Sequence, residues 1–301
     1  MKLMDLVEYA PARAAEAVLG TLPSGLAVRM GSGAGGAAWS LGARRAVVEE
    51  QITAAFPDRS PDWVAAITRA CYRHFGREIV TVARIGRSGG AFLLSQVQAG
   101  QDAVALHREA TRGSGAIIVT GHVGNWEAAG AYLAAAGLPM AAVVKRQRNP
   151  AFNERMLATR RRAGMEPIYM QDARTRIPQA LREGKTVALV ADQDAGERGV
   201  FVPFLGREAS TFRGPARLAL SLEVPLFFGA IVRLGSGYCA VLERVDAPAG
   251  EDDTEGAELE LTRRWVARLE EQVRRHPEQY FWFHRRWKTR PTGTTTGRGG
   301  T

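Results

Sequence analysis

"GAIIVTGHVGNWEAAGAYLAAAGLPMAAVV", residues 115–144, sets the pattern for most of the chain. A short apolar run gives way to a turn rich in glycine, then to an alanine-rich stretch of helical length, then to a second apolar run. The same alternation continues through "PAFNERMLATRRRAG", "PIYM", "ARTRIPQALREG" and "TVALVA". Short apolar runs separated by helix-length segments predict an α/β fold, with a mixed and mostly parallel sheet flanked by helices. Farther on, "VPLFFGAIVRL" and "GYCAVLERV" flank Gly235-Ser236-Gly237, which is a hairpin signal.

Upstream, the periodicity is helical instead. "RRAVVEEQITAAF" and "SPDWVAAITRACYRHFGREIVTVAR" carry apolar residues at helical spacing, and Ser60-Pro61-Asp62 supplies an N-cap and an early proline. A charged helix over roughly residues 254–275 precedes the basic stretch "HRRWKTRP" and a Gly/Thr tail. We therefore expect an N-terminal helical, membrane-associating region over 1–105, an α/β catalytic domain over 106–291, and a disordered tail over 292–301.

With 301 residues, 46% of them hydrophobic, the chain can bury one large core. Its net charge of +9 and pI near 10.1 favour anionic partners: nucleic acid, a membrane surface or a phosphorylated substrate. No recognised nucleic-acid module is visible. Cys71 and Cys239 lie far apart and form neither a disulfide framework nor a zinc pattern. The first twenty residues mix acids among apolar positions and lack the core of a signal peptide. The uncharged run 30–43 is glycine-rich and shorter than the ~20 apolar residues of a span, so no transmembrane helix is predicted. An amphipathic or shallowly inserted N-terminal region stays open.

His122 and Glu127 are the first residues with chemistry to offer. On a continuous helix, five positions is about 500°, which leaves the two side chains roughly 140° apart. They meet only if His122 sits in the loop after the strand and Glu127 in the first helical turn. Gly121 and Gly124 permit that turn, and Asn125 is a suitable N-cap. In that geometry the helix N-terminus keeps the imidazole neutral, and Glu127 holds its other ring nitrogen. The competing reading is a loop histidine beside an exposed glutamate. Position weighs against it, because open α/β sheets place their sites at strand C-terminal ends.

Two further stretches stand out. "KRQRNPAFNERMLATRRR", residues 145–162, carries Lys145, Arg146, Arg148, Arg155, Arg160, Arg161 and Arg162 against the single acid Glu154. Such density reads as an anion-binding face or as a solvated helix surface, and the sign asymmetry favours the former. In "ADQDAGERGVFVPFLG", residues 191–206, Asp192 and Asp194 follow a strand. They have three readings: a metal site, pairing with arginines of the basic helix, or orientation of substrate hydroxyls. No histidine or cysteine accompanies them, so no metal is assigned. The apolar "GVFVPFLG" either lines a pocket or is buried. There is no G-x-S-x-G elbow, P-loop or dinucleotide fingerprint, which disfavours covalent serine catalysis and nucleotide binding.

Taken together, these segments resemble a known family. "GHVGNWEAAG" is similar to the histidine–four residues–acid box of glycerolipid acyltransferases, in the glutamate form of the bacterial lipid A biosynthesis (lauroyl/myristoyl) acyltransferases. In the right order there follow "RNP", "DQDAG" with "GVFVPF", Thr211 to Gly214, and "PEQYFWFHRRWKTRP", while "AFPDRSPDWVAAI" matches upstream. The box alone is moderately specific; the ordered set, spanning about residues 45–291, is highly so.

The resemblance implies a base at His122 with Glu127 as its charge partner, and substrate-binding roles for Arg160 and Asp192. Asp194, Lys145, Arg146 and Arg148 join the expected binding set. The reaction it implies moves a fatty acyl chain from acyl carrier protein to a hydroxyl of a lipid A precursor, without cofactor or metal. The same chemistry on another glycolipid, such as a phosphatidylinositol mannoside, is the nearer alternative. A non-catalytic basic module on membrane or nucleic acid is the farther one. The implied location is the cytoplasmic face of the bacterial inner membrane, on an anionic surface and without nucleic acid. One departure stands out: family members carry a clear hydrophobic anchor, and this N-terminus is weak and glycine-rich.

Overall fold

The computed structural model describes residues 21–98, 100–111, 114–248 and 254–291. The first twenty residues, with the possible N-terminal membrane segment, and the tail at 292–301 lie outside the described residues.

Among the described residues three helices come first: α1 (Ser24–Ser40), α2 (Arg45–Ala55) and the long α3 (Pro61–Ser88). Helix α3 starts where the sequence signals it, with the Ser60 hydroxyl accepting the Trp63 N–H at 3.2 Å and Pro61 in the first turn. The glycine-rich run has a packing role. A Cβ on Gly35 would sit 2.1 Å from the Tyr72 carbonyl oxygen, and one on Gly76 would sit 2.1 Å from that of Gly31. Helices α1 and α3 therefore meet backbone to backbone, an approach that only residues lacking a Cβ allow. Among the described residues no helix is long and apolar enough to cross a membrane.

The sheet has the strand order β1-β9-β8-β2-β5-β3-β4. Its strands are β1 (Val97–Gln98), β2 (Ala116–Thr120), β3 (Met140–Val144), β4 (Met165–Tyr169), β5 (Thr186–Val190), β8 (Leu226–Leu234) and β9 (Gly237–Arg244). From β8 to β4 all neighbours are parallel, and β9 returns antiparallel on β8 through the Gly235-Ser236 turn. The mixed, mostly parallel sheet is thus as read from the alternation. Helices α4 (Gly100–Thr111), α5 (Trp126–Ala135), α6 (Pro150–Arg162), α7 (Ala173–Arg182), α8 (Gly214–Ser221) and α9 (Thr254–Arg275) flank it.

The greasy stretch after Asp194 forms β6 (Val200–Phe204), which pairs antiparallel with β7 (Arg207–Thr211). Val202, Phe204 and Leu205 are buried in the main core beside Trp265 and Leu269 of α9. Of its two readings, burial is the one observed.

The chain runs from β2 out to β3 and β4 and then returns to insert β5 between β2 and β3. Register pairs Thr120 with Val190 at the C-terminal ends of β2 and β5. Residues 122 and 192 therefore leave the sheet side by side, each two positions beyond a paired residue. This is the edge where open α/β sheets bind ligands.

Candidate active site

The loop from β2 to α5 is built to hold one shape. Gly124 has φ +61°, and a Cβ there would lie 1.8 Å from the Ile231 carbonyl oxygen, so the chain passes against β8 where only glycine fits. The Gly124 N–H donates to the Gln279 carbonyl and the Asn125 N–H to that of Ile231. The Phe281 N–H donates to the carbonyl of His122 at 2.9 Å. Asn125 caps α5, its Oδ1 accepting from the Ala128 N–H at 2.9 Å. Its Nδ2 donates to Glu78 Oε2 at 2.6 Å. Glu78 is itself buried and also accepts from Arg233 Nε at 2.5 Å and from the Tyr238 hydroxyl at 2.7 Å. This buried network fixes the loop from behind.

His122 is held by Asp192. Its Nδ1 lies 2.6 Å from Asp192 Oδ1, and its backbone N–H donates to Oδ2 at 2.8 Å. Trp126 and the imidazole make a T-shaped contact at a centroid distance of 4.6 Å, and the Phe281 ring lies 5.8 Å away. Burial alone would depress the basicity of His122. The charge of Asp192 and its hydrogen bond outweigh that, with help from Glu127, and raise its pKa above the usual histidine value. Burial likewise pushes the Asp192 carboxyl up, but the His122 charge, its two hydrogen bonds and nearby Arg286 hold it below the ordinary range. With an anion on Nδ1, that nitrogen carries the proton and Nε2 is left with its lone pair.

Two sequence expectations change here. Glu127 does not take the second ring nitrogen of His122; Asp192 does. Glu127 sits in the first turn of α5, facing α6, where Arg160 grips it in two bonds, Nη2 to Oε1 at 2.5 Å and Nε to Oε2 at 3.1 Å. The imidazole is also not biased toward the neutral form by the helix terminus, because a buried carboxylate 2.6 Å away outweighs a partial dipole.

A cavity of about 630 Å³ opens at this loop. Its mouth carries His122, Glu127, Arg160, Lys145, Asp194 and His284. From there it runs between α5 and the sheet to Met140 and Met165, at the far ends of β3 and β4. Among larger apolar side chains such as Ile118, Leu133 and Leu242, its walls include small residues, Ala129 and Gly130 on α5 and Ala142, Ala188, Gly229 and Ala240 of the sheet. A close-packed interior leaves such space only where small side chains oppose each other.

Six of the eight predicted site residues, His122, Glu127, Arg160, Asp192, Asp194 and Lys145, thus converge at the cavity mouth or on its histidine. Asp194 splits its duty: it also accepts from the Thr289 backbone N–H and hydroxyl at 3.1 and 2.9 Å, tying down the C-terminal segment. Neither aspartate pairs with an arginine of the basic helix. Arg146 lies over the Tyr169 ring at 4.9 Å, and Arg148 is exposed and lines neither cavity. Arg162 donates to the Gly86 carbonyl at 2.7 Å, closing the end of α3. Sequence reasoning did not single out Trp126, Phe281 or Glu78. Glu78 left a trace: it is a charge on the apolar stripe of an amphipathic helix, between Phe75 and Val82.

The profile of the family described as bacterial lipid A biosynthesis acyltransferase matches residues 12–289. The chain belongs to this family. It is an acyltransferase. A phosphatidylinositol mannoside acyltransferase of Mycobacterium tuberculosis is 24% identical over 77% of this chain and 72% of its own length. The lipid A biosynthesis lauroyltransferase of Escherichia coli is 36% identical over 38% of each chain. The palmitoleoyltransferase of the same organism is 32% identical over 39% of this chain and 38% of its own.

Proposed function

We propose that this acyltransferase moves a fatty acyl chain from the thioester of acyl carrier protein to a hydroxyl of a glycolipid acceptor. The observation that carries this reading is the cavity. A long slot between α5 and the sheet, lined largely by apolar side chains below its mouth, ends at a histidine whose Nδ1 is already committed to a buried carboxylate. Its apolar interior suits the acyl chain, and its mouth suits the reacting carbonyl.

In this reading the acceptor hydroxyl attacks the thioester carbonyl while His122 Nε2 takes its proton. Asp192 keeps the proton on Nδ1 and stabilises the imidazolium. The tetrahedral intermediate collapses with cleavage of the C–S bond, and the imidazolium returns the proton to the departing thiolate. The products are an ester and a free thiol. Glu127 occupies Nε and Nη2 of Arg160, and we assign Nη1 to the oxyanion. The Gly124 N–H, the other candidate donor, is already spent on Gln279. Positioned proton transfer of this kind is worth roughly 10² to 10⁴ in rate.

Among acceptors, a lipid A precursor accords with the family description. A phosphatidylinositol mannoside is the second reading, favoured by the longer match to the Mycobacterium tuberculosis relative. Net charge +9 and the exposed apolar Leu26, Met30 and Leu41 of the N-terminal region support peripheral attachment to the cytoplasmic face of an anionic inner membrane.

The test is transfer from acyl carrier thioester to each acceptor by the purified full chain, with lipids of a deletion strain analysed by mass spectrometry. His122→Ala should lose transfer by about 10² or more while keeping the wild-type melting transition. Undiminished transfer by that variant would end the proposal.

A further inference from the structure

A second cavity, of about 310 Å³, lies outside the first, between α3 and α6. This is within the size range of ligand pockets, about 300 to 1,000 Å³. Phe75, Ile79 and Val82 contribute from α3, at the spacing that ordinarily faces a core, and Phe152 and Met156 answer from α6. Yet Ile79 is 64% exposed and Phe152 is 42% exposed. A groove walled by aromatic and aliphatic side chains and left open to its surroundings marks a surface that meets hydrocarbon.

Its inner end identifies the occupant. Trp126 and Glu127 line this groove and also the first cavity. The wall between the two is therefore the first turn of α5, and the Trp126 ring also rests on the imidazole of His122. A chain lying in the groove ends one side chain away from the reacting centre. The proposed reaction brings together two lipid-bearing substrates, and the groove supplies a second apolar space next to the first cavity.

We propose that the groove between α3 and α6 holds one acyl chain of the glycolipid acceptor, so that its hydroxyl is delivered to His122 across Trp126 while the donor chain fills the inner cavity. This rests on the acyl-transfer reading above. The occupant is a hydrocarbon chain of at least the length from Ile79 to Trp126, attached to a polar head that stays outside. Two other occupants, bulk membrane lipid and the donor chain, make different predictions.

The test uses photolabelling of the full chain. A diazirine is placed at the end of an acyl chain in three probes: the acyl carrier thioester, a phosphatidylinositol mannoside or lipid A precursor, and phosphatidylglycerol in vesicles. The glycolipid probe should label peptides containing Val82 and Met156 and be displaced by unlabelled glycolipid, while the thioester labels peptides containing Leu133 and Ala188. Glycolipid label confined to the inner cavity would overturn the inference and leave the proposed function standing. Equal labelling of the groove by phosphatidylglycerol, undisplaced by glycolipid, would make it a membrane seat and overturn it too. Absence of thioester and glycolipid label from both cavities would defeat the acyl-transfer reading itself. Independently, Val82→Trp, at a half-buried position with room toward the groove, should raise KM for the acceptor about tenfold and change that for the donor less than about twofold. An equal rise for both substrates, or none, would count against the groove.

Discussion

Asp192 holds His122 twice, by the ring through Oδ1 and by the backbone N–H through Oδ2. One carboxylate, 2% exposed, thus fixes both the position of the loop and the tautomer of the imidazole. The pairing crosses seventy residues of sequence and depends on β5 lying beside β2.

Asp192→Asn should lower kcat/KM by about 10² to 10⁴, because the amide neither enforces the Nδ1–H tautomer nor stabilises the imidazolium. It should also move the pH profile. In the wild type, Asp192 raises the pKa of His122, and the base must be neutral, so activity falls as pH drops through a value above the usual 6.5 or so. Without the carboxylate, burial dominates and the acidic limb should move to lower pH. A pH–rate profile of both proteins checks this; an unmoved limb would separate Asp192 from the base.

Glu127 and Arg160 should behave as one unit. Glu127→Gln and Arg160→Gln should each reduce kcat about tenfold to a hundredfold, with the double variant no worse than the poorer single. That corresponds to a coupling of at least ~1 kcal/mol. Steady-state kinetics on the four proteins of the cycle gives the value, and simple additivity would show that the pair does not act together.

The small residues of the inner cavity should set donor chain length. Ala188→Leu adds volume into open space, not into a packed core, so its cost in stability should stay below that of overpacking, about 1 to 3 kcal/mol. Its effect should be a shift of preference toward shorter acyl thioesters, with kcat/KM for the longest wild-type substrate reduced about tenfold. A competition assay over donors of increasing length reads this directly, and an unchanged preference would remove the cavity from the donor path.

Lys145 and Arg148 should separate. Lys145 lies at the cavity mouth and Arg148 lines neither cavity. Lys145→Gln should raise the donor KM several-fold at low salt, and the defect should shrink toward ~0.5 M salt, where the screening length falls to a few ångströms. Arg148→Gln should remain within about twofold of wild type, as for an isolated surface charge. Matching defects in the two variants would place the carrier on the whole basic face.

The alternation of apolar runs and helical segments from residue 115 onward was sufficient for the α/β class, for β2 to β5 with the helices between them and for the loop that carries His122, whereas β1, the β6–β7 pair and α8 were not read from it. Asn125 as N-cap, Pro61 and Pro150 at helix starts, and the Gly235-Ser236 turn are local chemistry, readable without neighbours. Strand order is not local. Nothing in "TVALVA" says that it inserts between β2 and β3, and only that insertion brings Asp192 to His122. Within the sequence, Glu127 is the nearest acid to His122 and the natural partner. In the fold, the first turn of α5 aims it at Arg160 instead. The glycine-rich run 30–43 shows the same division: its composition reads as a weak apolar segment, and its close packing against Gly76 exists only once α3 is beside it. Patterns of period and capping are written in neighbouring residues, whereas the partner of a buried charge is set by which distant strand or helix the fold places beside it.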